Sequence, residues 1–328
     1  MASKLTQPFS IDPSFDKDRH VRFLDMMYEL LPSDYESQEI NHLTLAYFTL
    51  SSLDILGALD RVDKEAIVAW VLSFQAHKKD QDDLRSGQFY GFLGSRSSQF
   101  PADALKNSNC NSSHLASTYS ALAILKILGY DFSLFDSESI LRSMRNLQQS
   151  DGSHMMVALV YVLVWNPMAF SFLVNIMYTY DTSDTGGATY CAIASLRLMG
   201  FIEDDLLSKG VSSSIIDIPV LLDWMMQRQA ADGGFQGRLN KPSDTCYAFW
   251  VGGVLKILGG SKFVNKEALR DSLLTCQSVY GGFSKFPGEL PELYHSYYGF
   301  SAYSLLEEPT LNSLCVELGI TKRAASGS

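Results

Sequence analysis

Three residues of this chain carry side chains that suit a metal ion, and their spacing gives them a reason to meet. Asp244, Cys246 and His295 offer oxygen, sulfur and nitrogen. Three such ligands with a fourth position left open is the usual arrangement of a catalytic zinc. An Asp-x-Cys pair arises easily by chance, so the distance to the histidine matters more. The separation from Cys246 to His295 is one residue longer than that between Gly233 and Gly281, which open the triplets Gly233-Gly234-Phe235 and Gly281-Gly282-Phe283. Cys246 and His295 therefore occupy nearly the same place in two successive repeats, and stacked repeats bring such places together. Arg238 and Lys241 lie just before Asp244, Lys285 sits in the matching loop of the next repeat, and Tyr247 follows the cysteine. A single loop cation is ordinarily just solvated. Three beside a metal triad suit a diphosphate, with Arg as a fork and the lysines as point charges.

The elements that must position these residues read as helices. Val21, Phe23, Leu24, Met27, Leu30 and Leu31 recur at helical spacing from Asp16 until Pro32 stops the run. Further helices are expected over 39–53, over 64–75 behind an Asp63 N-cap, and over 116–128. Two devices recur. One is a Leu-rich stop ending in glycine, at Gly129, Gly200 and Gly259. The other is a turn opened by glutamine, in Gln229 to Phe235 and Gln277 to Phe283, with a weaker version around Gln149 and an echo in Gln88-Phe89-Tyr90-Gly91-Phe92. Self-similarity at about 50 residues means stacked helix pairs sharing one core. All the loops after the turns then lie at one end. Cys246 and His295 fall near the starts of inner helices, where helix dipoles favour anions. Phe249, Trp250, Tyr294, Tyr297, Tyr298, Phe300 and Tyr303 crowd the same helices; most belong to the core, and a subset is expected to wall an apolar tunnel.

Composition bounds the rest. The chain has 328 residues and a net charge of −10, which argues against nucleic-acid binding. Cys110, Cys191, Cys246, Cys276 and Cys315 are odd in number and far apart, as in a reducing, cytoplasmic setting without disulfides, and all but Cys246 read as core or loop thiols. No secretory h-region opens the chain. Residues 155–178 carry no charged side chain and are long enough to cross a bilayer, but Asn166-Pro167 interrupts them and no basic flank follows. No stable membrane span is expected. His20 and His42 read as capping or surface residues, and His114 as structural. The expected layout is a disordered 1–15, one domain over 16–310 and a tail over 311–328.

The chain resembles the β subunits of protein prenyltransferases, most closely those of type I geranylgeranyltransferases. The resemblance covers about 16–152 and 183–310. It is carried by Asp18-Arg19-His20-Val21-Arg22-Phe23, by 237–250 (GRLNKPSDTCYAFW) and by 281–299 (GGFSKFPGELPELYHSYYG). It implies an all-α fold, an α/α toroid of the α6/α6 type around a lipid-binding funnel. It implies one zinc on Asp244, Cys246 and His295, no need for Mg2+, and a separate α subunit as heterodimer partner. It implies that Arg238, Lys241, Tyr247 and Lys285 hold the diphosphate of geranylgeranyl diphosphate, and that the acceptor is the cysteine of a C-terminal CaaX box, X preferably Leu. Thr44 aligns where farnesyl enzymes resemble one another in having Trp, so a small residue there leaves room for a 20-carbon donor.

The chain also departs from that pattern. Residues 153–182 do not read like the family, and one repeat is expected to be lost or damaged there. Thr185 stands where the family has a histidine that contacts the diphosphate. Other readings stay open: a subunit that binds α but transfers nothing, a farnesyltransferase β subunit, and a terpene cyclase, whose Asp-x-Asp-Asp cluster is approached only by Gln81-Asp82-Asp83 and Glu203-Asp204-Asp205.

Overall fold

The structure is a computed structural model that describes residues 14–76, 90–94, 115–134, 136–140, 186–198, 200–202 and 216–327. Its helices are α1 (Lys17–Glu29), α2 (His42–Ile55), α3 (Lys64–Leu72), α4 (Leu115–Ile127), α5 (Gly186–Leu198), α6 (Ile218–Met226), α7 (Thr245–Ile257), α8 (Lys266–Thr275), α9 (Leu293–Leu305) and α10 (Lys322–Ser326). The only sheet among the described residues is a two-stranded hairpin, β1 (Leu314–Cys315) with β2 (Ile320–Thr321).

Several of these helices start as their sequence dictates. Asp16, Asp63, Asp217 and Asn265 each cap one by accepting a backbone N–H with the side chain, and Asp63 does so from Ala66 at 2.9 Å. Gly129, Gly200 and Gly259 end theirs with φ of 78°, 77° and 76°, the left-handed stop expected of the Leu-Gly device. The second helix begins at His42, later than expected, because a 3-10 segment (Ser33–Asn41) occupies its approach. Leu30 and Leu31 lie past the end of α1 and are exposed, not inward.

The inner helices pack side by side in the order α4, α2, α9, α7, α5, so the end of the chain meets its beginning at the α9–α2 contact. The outer helices α1, α3, α6 and α8 pack on α2, α4 and α7. The repeat turns are small antiparallel bridges, Gln229 with Phe235 and Gln277 with Phe283. Phe92 of the early echo forms a bridge of the same kind, but with Gln75, just beyond α3, while Gln88 and Phe89 lie outside the described residues. All three phenylalanines are buried.

Two contacts far apart in sequence close the body. His20 is fully buried, which corrects its reading as a cap or surface residue. Its Nε2–H donates to Gln277 Oε1 at 2.9 Å and its Nδ1 accepts the Gly282 N–H at 2.9 Å, while its ring stacks on Phe283. Helix α1 thus docks on the last repeat turn. The second closure is the segment expected to be a tail. Residues 312–326 pack into the body: Tyr47, Tyr297 and Ser51 donate hydroxyls to Gly319 O, Tyr119 to Leu318 O and Tyr190 to Val316 O. Four inner helices, α2, α4, α5 and α9, therefore converge on one short stretch of backbone. Buried Asp54 holds its far end, accepting from Thr321 Oγ1 and from Arg323 at 2.8 Å.

Among the described residues no helix is long and apolar enough to cross a membrane. The uncharged run 155–178, the atypical segment 153–182, Thr185, Cys110, His114, Gln81 to Asp83 and residues 203–205 lie outside the described residues.

Candidate metal and diphosphate site

Asp244 is the N-cap of α7 and accepts the Cys246 N–H at 3.0 Å, so one carboxylate both starts the helix and points at the site. Its own N–H donates to Phe235 O at 3.1 Å, which ties it to the Gly-Gly-Phe turn of its repeat. His295 is the third residue of α9, and Glu292 is that helix's N-cap, accepting the N–H groups of Tyr294 and His295. The α7–α9 contact then brings the two helix starts together. His295 Nε2 lies 3.1 Å from Asp244 Oδ1, and the ligand atoms of Asp244, Cys246 and His295 all fall within 4.8 Å of one another.

The electrostatics follow from burial and charge. Burial works against the charged form of Asp244, but hydrogen bonds from His295 and Cys246 outweigh it and hold the carboxyl below the usual range. Burial likewise lowers His295, yet its hydrogen bonds to Asp244 and Glu292 and their charges lift it to about 9. Burial, and then the Asp244 charge, push the Cys246 thiol well up. All three residues therefore favour a cation in their midst, which would take the place of protons on sulfur and imidazole.

Zinc fits these residues. Carboxylate, thiol and imidazole form a standard catalytic donor set, and zinc bonds of about 2.0–2.3 Å place its ligands within the spacing found here. The Glu292 carboxylate hydrogen-bonds His295 Nδ1, which leaves Nε2 facing Asp244 and Cys246. The sequence reading missed Glu292. A glutamate three residues before a candidate histidine, at a helix start, was the available signal.

The cations surround this cluster unevenly. Lys285 Nζ lies 3.9 Å from Asp244 Oδ2 and is half exposed. Arg238 and Lys241 are exposed at the two ends of a turn closed by Lys241 N–H to Arg238 O. Tyr247 lies against Gly237: a Cβ there would sit 2.0 Å from its ring. Burial, and then the charges of Cys246 and Asp244, raise the Tyr247 hydroxyl while Arg238 opposes them. Thr44 is placed elsewhere, half-buried on α2, accepting from Ser120 Oγ of α4 at 3.2 Å.

Beside the cluster runs an aromatic wall. Tyr190 meets Trp250, Trp250 meets Tyr298 with ring centres 4.5 Å apart, Tyr298 meets Tyr294, and Tyr294 meets Phe48, so the wall spans α5, α7, α9 and α2. Trp250 Nε1–H donates to Tyr294 OH at 3.3 Å. Tyr297, Phe300 and Tyr303 are buried in the core.

Helix pairs stacked side by side, with an Asp–Cys–His cluster where two inner helices begin, define an α/α toroid with a metal-type centre. The prenyltransferase alpha-alpha toroid domain matches residues 15–161 and 179–320. The geranylgeranyl transferase type-1 subunit beta of Arabidopsis thaliana is 56% identical over 98% of this chain and 93% of its own length. That of Dictyostelium discoideum is 30% identical over 94% and 96%. In structure, a Candida albicans protein geranylgeranyltransferase-I complexed with GGPP superposes with a TM-score of 0.77 at 21% identity, covering 95% of this chain and 98% of that one, which shows the shared fold. The chain belongs to the prenyltransferase α/α-toroid family, alongside the type I geranylgeranyl transferase β subunits.

Proposed function

We propose that this chain is the zinc- and donor-binding subunit of a type I protein geranylgeranyltransferase, working with a separate α subunit in the cytoplasm. The observation that carries the reading is the convergence of Asp244, Cys246 and His295 at the starts of two adjacent inner helices, with Lys285 against Asp244. The identity to the Arabidopsis β subunit supports the same donor and heterodimer. When bound, zinc holds the sulfur of an acceptor cysteine as thiolate at neutral pH.

The chain's own residues do the rest. Asp244, Cys246 and His295 fix the acceptor sulfur's position, and Glu292 keeps the imidazole turned toward it. Arg238, Lys241, Lys285 and the Tyr247 hydroxyl receive the negative charge that builds on the departing diphosphate as the sulfur–carbon bond forms and the carbon–oxygen bond breaks. The aromatic wall from Tyr190 to Phe48 offers the prenyl chain an apolar face. Thr44, small and half-buried, leaves room at its position for a 20-carbon donor. Acceptors are proteins ending in a CaaX box with Leu at X.

The test is transfer by the heterodimer. Purified with an α subunit, the chain is expected to hold one zinc and to prenylate a Leu-ending peptide from geranylgeranyl diphosphate faster than from farnesyl diphosphate. Cys246→Ala is expected to remove zinc and transfer together; zinc retained at full stoichiometry would show that the triad is misassigned.

A further inference from the structure

We infer that Thr245, which stands between the two ligands contributed by α7, is a positioning residue that fixes the diphosphate-binding Lys285 relative to the metal ligands. The inference rests on the functional reading above.

Lys285 lies in the loop between the last repeat turn and α9, and its side chain is half exposed. A flexible lysine in such a loop is a poor clamp, because ordering it costs rotamer and backbone entropy at the moment of binding. Here the backbone is already held. The Thr245 hydroxyl donates to Ser284 O at 2.7 Å and also reaches Lys285 O at 3.3 Å, while the Thr245 N–H donates to Lys285 O at 3.3 Å. Cys276 Sγ lies 3.9 Å from the same carbonyl. Ser284 is pinned in turn: its N–H donates to Cys276 O at 3.0 Å and its hydroxyl to Phe286 O at 2.7 Å. Thr245 and Ser284 are buried, so these bonds do not compete with bulk water.

The consequence is geometric. Asp244 and Cys246 flank Thr245 in sequence, so whatever orients the start of α7 also orients the Lys285 carbonyl. Lys285 Nζ then sits 3.9 Å from Asp244 Oδ2, at the edge of the metal cluster. Thr245 thus ties Lys285, a cation contributed by the next repeat, to the start of α7 that carries two of the metal ligands. A thermodynamic signature follows. The Thr245 hydroxyl contributes to diphosphate binding only through Lys285, so the two substitutions are not additive.

The experiment uses the heterodimer with zinc bound. Affinities for geranylgeranyl diphosphate and for inorganic pyrophosphate are measured by tryptophan fluorescence for wild type, Thr245→Val, Thr245→Ser, Lys285→Ala and Thr245→Val with Lys285→Ala. Thr245→Val, which removes one hydroxyl at constant shape, is expected to weaken both ligands about fivefold with zinc content unchanged. Thr245→Ser restores binding to within about twofold. In the Lys285→Ala background Thr245→Val has no further effect. If Thr245→Val does not fold, Thr245→Ala is measured in both backgrounds in its place. Wild-type affinity in the valine variant, or an effect that persists when Lys285 is absent, overturns the inference alone. A wild-type heterodimer that binds neither diphosphate overturns the functional reading and the inference with it.

Discussion

Glu292 has two jobs that separate experimentally. Its carboxylate caps α9, accepting two backbone N–H groups, and it also hydrogen-bonds His295 Nδ1. Serine caps a helix nearly as well but is too short to reach the imidazole. Glu292→Ser is therefore expected to leave the thermal midpoint of the metal-free heterodimer within a degree or two, yet weaken zinc at least about tenfold in a chelator competition. Equal zinc affinity in the two proteins would mean that the ring is held by its packing alone. The convergence of Asp244, Cys246 and His295 was legible in the sequence because repeat spacing placed Cys246 and His295 at equivalent positions. Glu292 and Thr245 were not, since their roles lie in an imidazole nitrogen three residues on and in a carbonyl of the next repeat. Only Glu292 left a signal, a glutamate three residues before a candidate histidine; nothing in residue type marks Thr245.

At the scale of elements, α1 shows what a helix reading leaves out. The apolar spacing of Val21, Phe23, Leu24 and Met27 located the helix, and all four are buried. What α1 docks on was hidden, because a lone histidine carries no sign of burial. His20 fits the turn at Gly281-Gly282 as a neutral ring, giving one hydrogen bond and accepting another. A Cβ on Gly281, whose φ is 90°, would come within 2.4 Å of Arg19 O, so the turn and the helix approach as closely as glycine allows. Burial, opposed by the Gln277 hydrogen bond and the Asp16 charge, lowers His20 to about 4 from 6.5. A group depressed in the folded state stabilises above its unfolded value and loses that contribution as pH falls. The window here is pH 6.5 to 4, and the difference amounts to about 3 kcal/mol at its lower end. Thermal melts of the wild type should fall over that range, with the drop reduced in His20→Gln. Parallel pH curves for the two proteins would place the acid sensitivity elsewhere. Gly281→Ala should lower the melting temperature at every pH, since it strains the turn and displaces α1.

The whole molecule is a ring, and its closure depends on contacts between chain ends and on the number of helix pairs between them. The segment read as a tail is one closure. Its two-residue strands have no periodicity to detect, but the hydroxyls of Tyr47, Tyr119, Tyr190 and Tyr297 gather on its carbonyls. The number of helix pairs is the other term. The family match breaks between residues 161 and 179, and the alignment to the Arabidopsis β subunit runs over 350 positions although this chain has only 328 residues. Part of the relative therefore has no counterpart here. The break in the family match falls between α4 and α5 and narrows the departure expected over 153–182, since 153–161 and 179–182 fall within the matched residues. Each helix pair of a toroid fills one sector, and neighbours bury their apolar faces against it. If the missing positions shorten a sector, the faces that would pack against it lose part of their contact area. Relative to a chimera carrying the Arabidopsis segment between Gly152 and Gly186, this chain, paired with the same α subunit, is expected to melt at lower temperature. Its kcat/KM should be about tenfold lower, equivalent to ~1.4 kcal/mol of transition-state stabilisation. Zinc content is expected to be equal in the two, because Asp244, Cys246 and His295 lie on α7 and α9, with α5 between α7 and the break. Equal rates and equal melting temperatures would show that the ring closes without the missing positions.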